Sequence, residues 1–381
     1  MRKSIILLAI SLTLIECSSE KKTIPIINLQ NATQSKVINL SEMLKDIYIV
    51  QLETSPDILL GEDTYYLVSE KFIITIDREK ILQFSGTGKY IRTLAKAGKG
   101  PDEFLRAEAF ALDEKNEILY LNHRGDSKNI GVYNLKDGKR IKRIPTGVDN
   151  LISQIAVLKD TVLVITPRMN QEYNLFYLST TGKIISGIAP PRVKGIGLQS
   201  SIEKVSDKLY YMPKEYDTLY LAENTAKEPF CFFNVEDRFT YDNNEIGNFV
   251  YLSLIAPDFM IANKVHASIK MNSDGETYSM NADKVELYWI DYKSSTVTGI
   301  KKFHNDFLGV EDPFDPWQNY LSTTNDLGFV RYSSFNLKQL IKQALETGNL
   351  ENPIKQRISS LDGQIFENDN PILVIGKFKS K

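Results

Sequence analysis

The sequence is poor in the residues that carry metal and thiol chemistry. Its 381 residues include 2 cysteines, 3 histidines and 2 tryptophans. Cys17 and Cys231 are too few for a disulfide framework, and they exclude a Cys-rich zinc site. His123, His266 and His304 lack any H-E-x-x-H spacing and read as surface or satisfied strand residues. No G-x-S-x-G elbow occurs, so hydrolase chemistry of that type has no support. Neither sign of charge dominates: 46 Lys and Arg stand against 48 Asp and Glu, interspersed along the chain. That balance leaves no electrostatic footprint for nucleic acid. The pairs Gly86-Thr87-Gly88, Gly98-Lys99-Gly100 and Gly195-Ile196-Gly197 lack the G-x-x-x-x-G-K-[ST] spacing of a phosphate loop. No apolar run reaches the roughly 20 residues of a membrane-spanning helix.

What is present begins with an export signal. Arg2 and Lys3 form a basic start, Ile5 to Ile15 an apolar stretch, and Cys17 follows, leading into Ser18-Ser19-Glu20-Lys21-Lys22. An apolar run this short reads as a removable signal peptide over residues 1–16. Residues 17–40 lack periodic apolar character and are expected to form a tether.

From about Ile47 the chain becomes a series of short runs rich in Val, Ile, Tyr, Phe and Leu, punctuated by Gly, Asp, Asn and Lys. Examples are Phe72–Ile76, Ile118–Leu121, Val162–Ile165, Leu209–Tyr211 and Leu287–Ile290. A strand–turn–strand unit recurs around Gly88-Lys89, Gly138-Lys139 and Gly182-Lys183, and the Leu287–Lys301 unit carries Ser294-Ser295 instead. Glycine there supplies the positive φ of a tight hairpin. A repeat of about 40–50 residues with four strands per unit marks propeller blades. The expected fold is therefore all-β, a six-bladed β-propeller over residues 41–381; five or seven blades would also fit the length. Closing the ring requires Asn370 to Lys379 to share a blade with a strand near Ile47 to Leu52. One helix is expected near the C-terminus, where Leu337, Leu340, Ile341, Ala344 and Leu345 form a stripe, with Asn336 as cap and Gly348 after its end. Cys231, within Phe230-Cys231-Phe232-Phe233, reads as a small buried hydrophobe.

The chain resembles the six-bladed β-propeller lipoproteins of Bacteroidota, which are related in shape to NHL and TolB-like propellers. The resemblance lies in Val50-Gln51-Leu52-Glu53-Thr54, in Gly98-Lys99-Gly100-Pro101-Asp102-Glu103-Phe104, in Tyr216-Asp217-Thr218-Leu219-Tyr220 and in Asn370-Pro371-Ile372-Leu373-Val374-Ile375. Cys17 similarly resembles the lipid-bearing cysteine of a bacterial lipoprotein, although Glu16 departs from the small residue usual before it. The resemblance implies fold and export, and no catalytic residues. It also implies an outer-membrane lipid anchor as the sole membrane attachment. Periplasm-facing placement is expected, because surface-export tags are acidic after the Cys and here Lys21 and Lys22 follow Glu20.

The candidate ligand-binding loop is Ala97 to Phe104, where Lys99, Asp102 and Glu103, with Arg106 just beyond, would cluster at one mouth of the ring. The competing reading is a blade-to-blade crossover in which Glu103 holds backbone amides. Asp312 to Tyr320 offers aromatics, Phe314 and Trp317 among them, that either stack on a ligand or pin a loop. The expected role is non-enzymatic: binding or scaffolding a protein, peptide or glycan, with no cofactor. The alternative is a calcium-dependent hydrolase or lactonase, which needs carboxylates and Asn from several blades to meet at the tunnel.

Overall fold

The structure, a computed structural model, describes residues 24–379 except 101–102, 149–150, 159–161, 168–172, 190–199, 214–216, 224–225, 239–245, 272–277, 312–320, 325 and 348. Six separate sheets follow one another in the chain, and each is a blade. Blade one comprises Tyr65–Val68, Phe72–Ile76, Lys80–Ser85 and Tyr90–Lys96. Blade two comprises Ala107–Asp113, Ile118–His123, Asn129–Asn134 and Arg140–Pro145; blade three comprises Ile152–Leu158, Val162–Pro167, Leu175–Ser179 and Ile184–Ile188. Blade four runs from Ser201 to Asn234, blade five from Ile246 to His304, and blade six holds Ser322–Thr324, Leu327–Tyr332 and Ile372–Phe378.

The reason for a ring is visible in the alternation of side chains. In the second strand of blade one, Ile73 packs toward blade six, beside Phe329 and Ile375. Its neighbour Ile74 packs toward blade two, beside Leu119 and Leu121. In blade two, Tyr120 faces blade three while Leu119 and Leu121 face blade one. Each blade thus has two apolar faces and can bury neither alone, so the hydrophobic cores lie between blades. Burial of one such large side chain contributes about 1.5–3 kcal/mol.

The recurring glycines serve these contacts. Gly88, Gly138 and Gly182 have φ of 86°, 75° and 87°, and Ser295 takes φ 55° at the corresponding turn. Each turn lies on the outer strand of the preceding blade. A Cβ on Gly88 would stand 2.2 Å from the Gln51 carbonyl, and one on Gly182 would stand 2.6 Å from the Pro145 carbonyl. The same closeness in blade five sets Tyr292 edge-on to Phe230 of blade four, with centroids 5.4 Å apart.

Closure falls where the sequence places it. Leu44–Gln51 is the fourth strand of blade six, antiparallel to Ile372–Phe378, with Val50 opposite Leu373 and Ile49 opposite Val374. The tether boundary needs correction. From Ile26 on, the N-terminal run belongs to the folded body: Ile26–Asn28 pairs parallel with Phe232–Asn234, and Thr33–Asn39 pairs parallel with the outer strand of blade five. As fifth strands at sheet edges these residues bury only a few side chains, Ile27, Leu29 and Ile38 among them, which explains the missing periodicity.

The expected C-terminal helix is Ser334–Thr347, with Leu337 and Ile341 fully buried in the core between blades five and six. It starts two residues before Asn336, and the Ser333 hydroxyl caps it by accepting the Asn336 N–H at 3.2 Å. A second helix, Asn352–Asp362, follows and buries Ile358 and Leu361 against the same core. Gly348 lies outside the described residues.

Candidate functional site: a cup on the propeller axis

The first strands of blades one to four enclose a cavity of about 870 Å3. In the first strand of blade one, Tyr66 and Val68 pack into the core between blades, whereas Tyr65 and Leu67 line the cavity. Ala109, Phe110 and Ala111 continue the wall in blade two, and Ile155 and Val157 in blade three. Where these strands begin, the rim is charged: Glu62, Asp63, Asp77, Arg78 and Arg106 all line the opening. At the other end the inner hairpin turns of blades four and six are tied together. There the Ser206 N–H and hydroxyl both donate to Asp326 Oδ1, at 2.9 and 2.7 Å. The cavity is therefore a cup that opens at a charged rim.

Three details shape the rim. Tyr65 is 60% exposed, and its ring lies 5.4 Å from that of Phe110 at 57°. Arg78 Nη2 donates to Asp63 Oδ2 at 2.6 Å in a pair whose side chains are 82% and 70% exposed. Arg106 has a positive φ of 40° and sets its Nε 3.6 Å from Glu108 Oε1. Glu108 also pairs with Arg124. The turn that presents Arg106 is held from both sides. The Arg124 N–H donates to the carbonyls of Leu105 and Arg106, and the Leu105 N–H donates to His123 Nδ1 at 3.3 Å. Burial lowers the His123 pKa; Arg140 and Arg143 act in the same direction and Asp126 opposes them.

The candidate loop is divided between two roles. Glu103 accepts the Gly100 N–H at 2.6 Å, and a Cβ on Gly98 would stand 1.9 Å from Glu103 Oε2. The Glu103 carboxylate therefore folds the crossover onto itself. Lys99 is exposed and does not line the cavity, whereas Arg106 turns to the cup. Asp102, Cys17 and the Asp312–Tyr320 run lie outside the described residues. Among the described residues no three His, Cys, Asp or Glu groups come close enough to hold a metal. Cys231 is 1% exposed, and burial pushes its thiol pKa up to about 12.

Sequence reasoning missed Tyr65, Phe110 and the Asp63–Arg78 pair. The available signal was weak: in Tyr65-Tyr66-Leu67-Val68 alternation only says that the two tyrosines point to opposite faces of the blade, and both faces meet a neighbouring blade.

Fold and cup together define a six-bladed β-propeller with an axial recess. The chain belongs to the family described as a domain of unknown function, DUF4934, which it matches over residues 24–377. It is similar in fold to a Bacteroides fragilis protein described as exported, with 14% identity and a TM-score of 0.65 over 93% of this chain and 100% of that one. BamB from Moraxella catarrhalis aligns over 86% of this chain and 100% of its own at 9% identity, with a TM-score of 0.40 that supports nothing further. No curated protein matches the chain.

Proposed function

We propose that this protein is an exported binding propeller, lipid-anchored through Cys17 to the outer membrane and facing the periplasm, that holds a protein, peptide or glycan ligand at its axial cup without transforming it. The observation that carries the reading is the cup itself: about 870 Å3 and rimmed by charges of both signs. That volume lies within the range of small-ligand sites. Export is supported by the Arg2–Cys17 leader pattern and by the fold likeness to a protein described as exported. A calcium-dependent hydrolase or lactonase finds no donor cluster among the described residues.

The test has two arms. Intact mass of the protein recovered from membranes should show an acylated Cys17 at the N-terminus. Glycan and peptide libraries should yield a ligand whose binding is lost in Leu67→Trp, which fills the cup, and which is recovered unchanged after incubation. Turnover of the ligand, or binding that survives Leu67→Trp, would contradict the reading.

A further inference from the structure

We infer that the rim of the cup is a subsite for an uncharged sugar, with Tyr65 as stacking platform and the Asp63–Arg78 pair as hydroxyl clamp. This rests on the cup being the ligand site, and it narrows the class of ligand.

The platform comes first. Tyr65 is 60% exposed although its ring is positioned by Phe110, 5.4 Å away, and both rings line the cavity. The adjacent residue, Tyr66, is buried in the core between blades six and one, and Leu67, next along the strand, packs against the core between blades one and two, whereas the Tyr65 ring is left at the opening. An aromatic ring left at a cavity rim presents a flat apolar face and a polar tip, which suits the C–H face of a pyranose.

The clamp is independent of it. Asp63 and Arg78 form a 2.6 Å pair that is mostly in solvent. Such a pair adds little to stability, so folding does not account for its place at the opening. A carboxylate and a guanidinium side by side offer acceptors and donors next to one another. Neighbouring sugar hydroxyls use both, donating to the carboxylate and accepting from the guanidinium. Arg106 extends the donor set along the rim, its Nε standing 3.6 Å from Glu108 Oε1.

Charge selects against the other classes. An anion entering the rim meets Glu62, Asp63 and Asp77, and a cation meets Arg78 and Arg106. A hydroxylated neutral ligand is the one served by both signs. A peptide is gripped by side-chain pockets or by strand addition, and a rim of paired charges provides neither.

The experiment is a glycan array spanning neutral and acidic oligosaccharides, probed with the full mature chain, followed by calorimetry on the hits. The expected result is binding to neutral glycans that weakens about tenfold or more in Tyr65→Ala and is kept in Tyr65→Phe. Asp63→Asn with Arg78→Gln should weaken it comparably. Raising salt from about 0.05 to about 0.5 M should leave the affinity within roughly twofold, since no net charge is neutralised. Thermal melts check that the Tyr65→Ala chain is folded. Absence of any neutral-glycan hit, or binding indifferent to Tyr65→Ala, overturns the inference. If instead only acidic glycans or peptides bind, and Leu67→Trp abolishes that binding, the sugar class is wrong and the cup stands. Binding that survives Leu67→Trp removes the cup as well.

Discussion

Asn370 does more for ring closure than any neighbouring residue. It is 1% exposed; its side chain donates to the carbonyls of Glu53 and Ile58 at 2.7 and 3.0 Å and accepts the Leu60 N–H at 2.9 Å. Its backbone N–H reaches Thr54 Oγ1, and its carbonyl accepts the Ser334 hydroxyl. The closing Asn-Pro motif and the Leu-Glu-Thr motif are therefore two halves of one latch. Glu53 extends it by accepting the Tyr90 N–H at 3.2 Å. Asn370→Ala would strand three backbone groups, the Ile58 carbonyl among them buried, and urea unfolding should show a loss of about 2–4 kcal/mol. A loss below about 1 kcal/mol would mean that water replaces the amide. His123 belongs to this scale too. Accepting the Leu105 N–H requires an unprotonated Nδ1, and burial favours that neutral form. The folded pKa lies below the ordinary value of 6.5. The stability this contributes is present above pH 6.5 and is lost as pH falls toward the folded value. The melting temperature should drop below about pH 6.5, and His123→Gln should flatten that drop before the carboxylates titrate. An unchanged slope in His123→Gln would assign the effect elsewhere. Neither role is legible in sequence, because a motif shows which residues recur and not which distant carbonyls they meet.

Strands differ in how plainly they announce themselves. Phe72–Ile76, Ile118–Leu121, Val162–Ile165 and Leu209–Tyr211 are all second strands, covered by a neighbouring blade on each face. They therefore read as unbroken apolar runs. First strands such as Ser201–Val205 contribute to the cup wall and carry weaker patterns. These first strands build the cup, so the site was harder to foresee than the fold. Among its described residues the candidate cluster meets the cup through Arg106, while Glu103 is occupied by Gly100. The N-terminal edge strands were hidden for a related reason, having one flank in solvent. A chain beginning at Ala32 loses Ile27 and Leu29 from the core between blades four and five. It should fold yet be less stable by about 3–5 kcal/mol in denaturant titration. A stability equal to that of the full chain would restore the tether reading for these residues.

At the scale of the whole molecule, the ring explains why the ends of the chain must meet. Six blades with shared cores form a closed cycle, and the ring is closed within blade six by residues more than 300 apart, as in the Asn370–Glu53 bond with its separation of 317. Lys377–Glu70 and Lys71–Glu117 link blade six to one and one to two at 2.6 and 3.0 Å, and Arg331 donates to the Glu62 carbonyl at the cup rim. The cup thus inherits its shape from closure: blade one carries Asp63, Tyr65 and Arg78, and its position depends on the latch beside it. Hydrogen exchange followed by mass spectrometry on the full mature chain tests this most directly. The amides of Leu44–Gln51 should exchange as slowly as those of Ile372–Phe378, and both should lose protection together in Asn370→Ala. Rapid exchange across Leu44–Gln51 alongside a protected Ile372–Phe378 would show an open ring and contradict the account.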